Sequence, residues 1–132
     1  PAGIISGAVH NIVLGMKQQG VKRLAFETGI MMGGGPGLGL AGKAMLSAFR
    51  VINGALYQDA TAANREIEES ELDWTIVRPP RLLDAPPTGR ARILSGHLPK
   101  GGFVISRADV ASFMLKEAVS PCFVRQVVGI SN

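Results

Sequence analysis

Apolar residues return at helical spacing through Ile4, Ile5, Ala8, Val9, Ile12, Val13 and Met16, and Gly20 sits where such a helix would stop. The chain therefore opens on an amphipathic helix. The segment Val21 to Thr28 then carries Leu24-Ala25-Phe26 behind two bases, a short apolar run of strand length. From Gly29 to Gly42 glycine and small apolar residues dominate, which predicts a loop leading into a helix over Lys43 to Leu56. Asp59 is placed to cap the next helix, whose Glu66, Glu68, Glu69 and Glu71 face water while Ile67 and Leu72 point inward. Asp73-Trp74-Thr75-Ile76-Val77-Arg78 is β-branched and aromatic and is stopped by Pro79-Pro80, the strongest strand signal in the chain. Ser106-Arg107-Ala108-Asp109 reads as a capping box ahead of Val110, Phe113, Met114 and Ala118, with Pro121 as the stop and a last strand over Phe123 to Ile130. Helices alternating with strands in this order predict an α/β fold with a parallel sheet, each crossover being helical.

Composition narrows this picture. A length of 132 residues is one domain, and 46% hydrophobic against 18% charged residues excludes disorder by composition. The 17 Gly and 8 Pro cluster between periodic segments without a repeat, so collagen-like and low-complexity architectures fall away. Cys122 is the single cysteine, which excludes an internal disulfide and a cysteine-based zinc site and fits a reducing, cytoplasmic location. The uncharged stretch between Thr28 and Lys43 is too short and too rich in glycine to span a bilayer as a helix, so no membrane partner is expected. Pro1-Ala2-Gly3 carries neither a charged signal-peptide start nor an initiator Met, and the natural start is expected to be trimmed or to lie upstream.

The net charge of +4 is unevenly spread. Arg81, Arg90, Arg92, Lys100 and Arg107 stand against the single Asp84, which reads either as a solvated basic loop or as a holder of a phosphate-bearing ligand. Aromatic residues are not interleaved there beyond Phe103, so no nucleic-acid partner is expected. Two glycine motifs overlap in one loop. Gly37-Leu38-Gly39-Leu40-Ala41-Gly42 spells the dinucleotide fingerprint, but too far behind the strand ending at Thr28 to make its tight turn, and the acidic Asp59 would open a helix. Gly37 to Lys43 spells a P-loop, but Ala44 replaces the Ser or Thr that holds magnesium. His10 lies in a helix and His97 in a glycine-flanked loop without metal-ligand spacing, so no metal site is expected. Cys122, beside Pro121, reads as a small buried thiol at a strand start. Tyr57 has Thr61 at the fourth position on, so the lysine of a Tyr-x-x-x-Lys pair is absent.

The segment Leu72 to Asp84 resembles the penultimate core strand and following turn of the atypical short-chain dehydrogenases with an NAD(P)H-binding Rossmann domain, the group that includes flavin reductase (biliverdin reductase B) and NmrA-like sensors. Gly7-Ala8 through Gly20-Val21-Lys22-Arg23-Leu24 is similar to a helix and strand of that family, and Val104 to Ala111 with Phe113-Met114-Leu115 to its last helix. The resemblance covers nearly the whole chain as a single, partial Rossmann-like domain over residues 1–132. It implies that the family's N-terminal strands and glycine fingerprint are lacking. It further implies an oligomer, or a missing N-terminal segment, to cover the edge of the Val21 to Thr28 strand.

What the resemblance implies about function is an NAD(P)-dependent oxidoreductase acting on a small or flavin-like acceptor, with a non-catalytic NmrA-like dinucleotide sensor as the alternative. NADP or NAD would be the cofactor. Its nicotinamide side would lie against Thr28, Pro79, Pro80 and Arg81, at two strand carboxyl ends where open α/β sheets bind ligands. The family's polar groups are replaced at three positions, by Gly29, Ala60 and Arg81, which leaves the catalytic residue unassigned. Hydride transfer depends first on orientation, so those losses do not by themselves remove it.

Overall fold

A computed structural model describes residues 3–32 and 39–132, with no placement described for Pro1, Ala2 and the stretch 33–38. Four helices and six strands are seen among the described residues: α1 (Ile4–Gln18), β1 (Arg23–Glu27), α2 (Leu40–Ile52), α3 (Gly54–Glu69), β2 (Asp73–Arg78), β3 (Arg81–Leu83), β4 (Arg92–Ser95), β5 (Val104–Ser106), α4 (Arg107–Val119) and β6 (Gln126–Ser131). A single 3-10 turn, Ile30–Met32, follows β1.

The main sheet runs β1-β2-β6-β4. Its first three strands are parallel, as the alternation predicts, and β4 closes the far side antiparallel to β6. A second parallel pair, β3 with β5, stands beside it. The stretch 81–107, expected as a loop, thus holds three short strands, which are too interrupted by glycine and proline to show a period of two.

Alternation along β2 sends its side chains to two cores. Trp74 and Ile76 join Val9 and Val13 of α1 with Ala63 and Ile67 of α3, while Val77 joins Val128 and Ile130 of β6 with Ile105 and Val110 on the α4 side. Both faces are therefore covered by helix, as a parallel sheet requires.

Polar anchors fix the helices to this sheet. Ser106 caps α4, accepting from the Asp109 amide at 3.0 Å as the capping box predicts. The Asp109 carboxylate turns to the chain ahead of β4, accepting from the amides of Thr88 at 2.9 Å and Gly89 at 3.0 Å. The expected helix break differs. The chain turns at Asn53, separating α2 from α3, so Asp59 lies inside α3 and does not cap it. Its carboxylate instead accepts from the amides of Ile5 and Ser6, so it caps α1 from 54 residues away. Cys122, expected to be buried, is an exposed free thiol, because Pro121 and Cys122 lie in the turn before β6 and not in the strand. The two amides after Pro121, those of Cys122 and Phe123, are taken by the buried Glu117.

Candidate functional site

Parallel pairing aligns the carboxyl ends of β1 and β2, and backbone hydrogen bonds continue beyond the strands. The Thr28 amide donates to the Val77 carbonyl at 2.9 Å and the Ile30 amide to the Pro79 carbonyl at 3.0 Å. Thr28 is thereby brought beside the Pro79-Pro80 turn, although the two lie far apart in sequence. Pro79 is buried and has no N–H for a ladder, so β2 stops here and the chain turns into β3. The Arg81 amide then donates to the Phe103 carbonyl, which ties this turn to the segment entering β5.

An open cleft of about 560 Å³ lies over these strand ends. Its walls come from Ile30 and Met31 after β1, from Ala41 and Met45 of α2, from the Pro79–Arg81 turn, and from Leu98 and Phe103. Such a volume suits a planar group of substrate or cofactor size. The lining is apolar apart from Arg81, an exposed side chain with no ion-pair or hydrogen-bond partner among the described residues.

Three of the four expected cofactor contacts, Pro79, Pro80 and Arg81, line the cleft. The fourth, Thr28, is buried one residue before the cleft-lining Gly29, and its hydroxyl has no partner among the described residues. A buried hydroxyl without a partner costs free energy, but Thr28 lies behind Gly29 and is not part of the cleft wall. The apolar walls formed by Pro79, Pro80, Met31 and Met45 fit the flat ring of a nicotinamide cofactor.

Sequence reasoning missed the other walls. Met31, Met45, Leu98 and Phe103 carry no motif, and the exposure of Phe103 is its only signal. Of the glycine fingerprint, Gly37 and Leu38 lie outside the described residues. Gly39 precedes α2 without a side-chain cap, and the first-turn residues Ala41 and Gly42 line the cleft.

The other candidates are occupied elsewhere. Arg92 donates to the carbonyls of Lys100 and Asn132, and Arg107 pairs with Asp84 at 2.6 Å, so two of the five bases expected to form a basic loop bind their own chain. Arg50 lies over the Tyr57 ring at 4.6 Å. His10 bonds Glu66 at 2.7 Å on the surface, and no group of three potential metal ligands is found among the described residues. Arg78 is half-buried at the end of β2. Desolvation pulls its guanidinium pKa down, and Glu68 and Tyr57 partly offset this.

Sequence comparison supplies the family: the model of an NAD(P)H-binding family matches residues 2–121. The chain belongs to that family. No curated protein matches it. Solved structures do. The anaerobilin reductase ChuY of Escherichia coli O157:H7 shares 28% identity, with a TM-score of 0.72 over 96% of this chain and 58% of its own. A wide-type short-chain dehydrogenase/reductase of Veillonella parvula, solved with NADP, shares 17% identity with a TM-score of 0.71, and again covers 96% of this chain and 58% of its own. A candidate exported protein of Burkholderia pseudomallei shares 23% identity with a TM-score of 0.74 over 100% of this chain and 66% of its own. The chain thus spans between about half and two thirds of the length of these relatives. The α/β architecture is Rossmann-like, as in these relatives, and the family is NAD(P)H-binding. No helix among the described residues is long and apolar enough to cross a membrane.

Proposed function

We propose that this single, partial domain forms the acceptor side of an NAD(P)-dependent reductase. The observation that carries the reading is the apolar cleft over the ends of β1 and β2, with Arg81 unpaired among the described residues at its rim. When bound, the cofactor supplies a hydride. The chain's own residues orient and exclude water: Pro79 and Pro80 would pack against the ring, Thr28 would support the strand end from behind Gly29, and Met31, Met45 and Phe103 would keep an acceptor dry. Arg81 would attract the carboxylate or phosphate of a small or flavin-like acceptor. It offers no proton at neutral pH, because guanidinium does not deprotonate. A cytoplasmic location belongs to the same proposal, supported by the unpaired Cys122.

A second reading, a dinucleotide sensor without turnover, is favoured by one observation. Among the described residues lining the cleft none can donate a proton at neutral pH. Arg81→Ala separates the two. In a reductase it raises KM for an anionic acceptor about ten- to hundredfold with kcat little changed, as expected for losing one charge-assisted hydrogen bond that acts equally before and during reaction. In a sensor it lowers NADH or NADPH affinity in calorimetry, and the parent chain turns over no flavin, quinone or tetrapyrrole. If Arg81→Ala changes neither binding nor turnover, the cleft assignment is lost. Comparing the two dinucleotides in the same titration decides between NAD and NADP.

A further inference from the structure

Phe103 stands at the rim of the cleft with 76% of its surface exposed, whereas every other aromatic residue is buried or half-buried. A ring left in water contributes little to the fold. Its backbone is nevertheless fixed on both sides. The buried Gly102 donates to the Pro99 carbonyl at 3.1 Å and leaves no room for a Cβ, which would overlap Ser131 Oγ. The Phe103 carbonyl accepts from the Arg81 amide and the Val104 carbonyl from the Asn132 amide, both at 3.3 Å. Ordered backbone therefore presents the ring, and a ligand that meets it need not order the segment first.

The strand register supplies neighbours. Arg81 pairs with Val104, so the same register carried back one residue sets Phe103 beside Pro80 on one side of the β3–β5 pair. Both residues line the cleft, as do Met31 and Met45, whose thioether sulfurs make favourable contacts with aromatic ring edges.

What the lining lacks narrows the occupant further. Apart from Arg81, no side chain lining the cleft among the described residues carries a hydrogen-bonding group. A hydroxyl-rich body entering it would give up its bonds to water with few to replace them. A conjugated ring gives up none, and gains an aromatic partner in Phe103.

We propose that Phe103 is the specificity-determining residue of the cleft: it stacks on a conjugated ring of an acceptor whose anionic group Arg81 receives, and so selects flat aromatic acids over saturated or hydroxyl-rich anions of similar size. The inference rests on the reading of the cleft as an acceptor site and adds the chemistry of the acceptor's body.

Calorimetric titration of the 132-residue chain with three anions tests it: naphthoate, its fully saturated decalin counterpart, and glucose phosphate. Naphthoate should bind at least about threefold more tightly than the decalin acid, within the range of an aromatic pair beyond the area it buries, and glucose phosphate more weakly than either. Phe103→Leu keeps an apolar side chain and removes the ring. It should weaken naphthoate about three- to tenfold and leave the decalin acid within about twofold, with thermal unfolding nearly unchanged because the position is exposed. Phe103→Trp should restore the preference for naphthoate, which a merely structural role for this position would not produce. Equal binding of the two acids by the parent chain overturns the proposal, as does a Phe103→Leu effect shared equally by both. Tighter binding of glucose phosphate than of naphthoate, or no saturable naphthoate binding by about 1 mM, overturns it too. These titrations need neither cofactor nor turnover, so their failure leaves the reductase reading to stand or fall on its own Arg81→Ala test.

Discussion

On the α4 flank of the sheet charged side chains are buried and fully engaged, whereas the cleft at the strand ends is apolar and its one charge is unengaged. Glu117, only 1% exposed, takes the amides of Cys122 and Phe123 and pairs with Arg23 at 3.2 Å. Asp109 likewise takes two amides and the hydroxyls of Thr88 and Ser106. Arg81 has no such work among the described residues. The difference teaches that burial of a charge marks architecture in this chain, since backbone groups consume it. Capacity for a ligand sits where polar groups lack partners.

The largest test of this contrast is Glu117→Ala. It leaves the Arg23 guanidinium short of its counter-charge and two amides unpaired, and should cost about 3–5 kcal/mol in urea unfolding. A loss below about 1 kcal/mol, the level of a surface ion pair, would erase the distinction between the flanks. Next comes Gly129→Ala. A Cβ on this β6 glycine would overlap the His97 carbonyl and crowd Leu98, whose side chain forms a wall of the cleft. The expected cost is about 1–3 kcal/mol, with weaker dinucleotide binding in calorimetry as Leu98 is displaced.

Ser106→Ala removes the α4 cap and should cost about 1 kcal/mol in thermal or urea unfolding. The same cluster sets a pH dependence. Amide hydrogen bonds from Thr88 and Gly89, with the Ser106 and Thr88 hydroxyls, outweigh desolvation and hold the Asp109 carboxyl at about 2, below its ordinary 3.8. Because the folded pKa is the lower one, this stabilisation is complete above the unfolded value and is lost as pH falls from about 4 toward 2. Asp109→Asn should flatten the slope of stability against pH across that window; an unchanged slope would show that other carboxylates govern it. The smallest effect belongs to the cleft. Arg81→Ala should move unfolding by no more than about 0.5 kcal/mol, and a larger loss would mean that the cation is structural after all.

Much of this was legible along the chain, and the exceptions share a cause. Strand β2 was announced by Asp73 to Arg78 and its proline stop, helix α4 by Ser106 and Asp109, and the placing of Thr28 beside Pro79 by strand ends that a parallel sheet must align. Asp59 has the residue type of a cap, but the helix it caps begins at Ile4. Strands β3, β4 and β5 have three or four residues each, too few for alternation to register, and they exist because β3 pairs with β5 and β4 with β6. Met31, Met45, Leu98 and Phe103 are ordinary apolar residues until four separate segments converge on one cleft.

By itself, then, the sequence determined the first and last helices and the parallel core strands, because helical period, β-branched runs, proline stops and caps act over a few neighbouring residues, and its likeness to known sequences carried the family. Only the tertiary structure decided which charges were consumed. Whether Glu117, Asp109 or Arg81 finds a backbone amide depends on chain brought close from elsewhere, and spacing along the sequence carries no record of that approach.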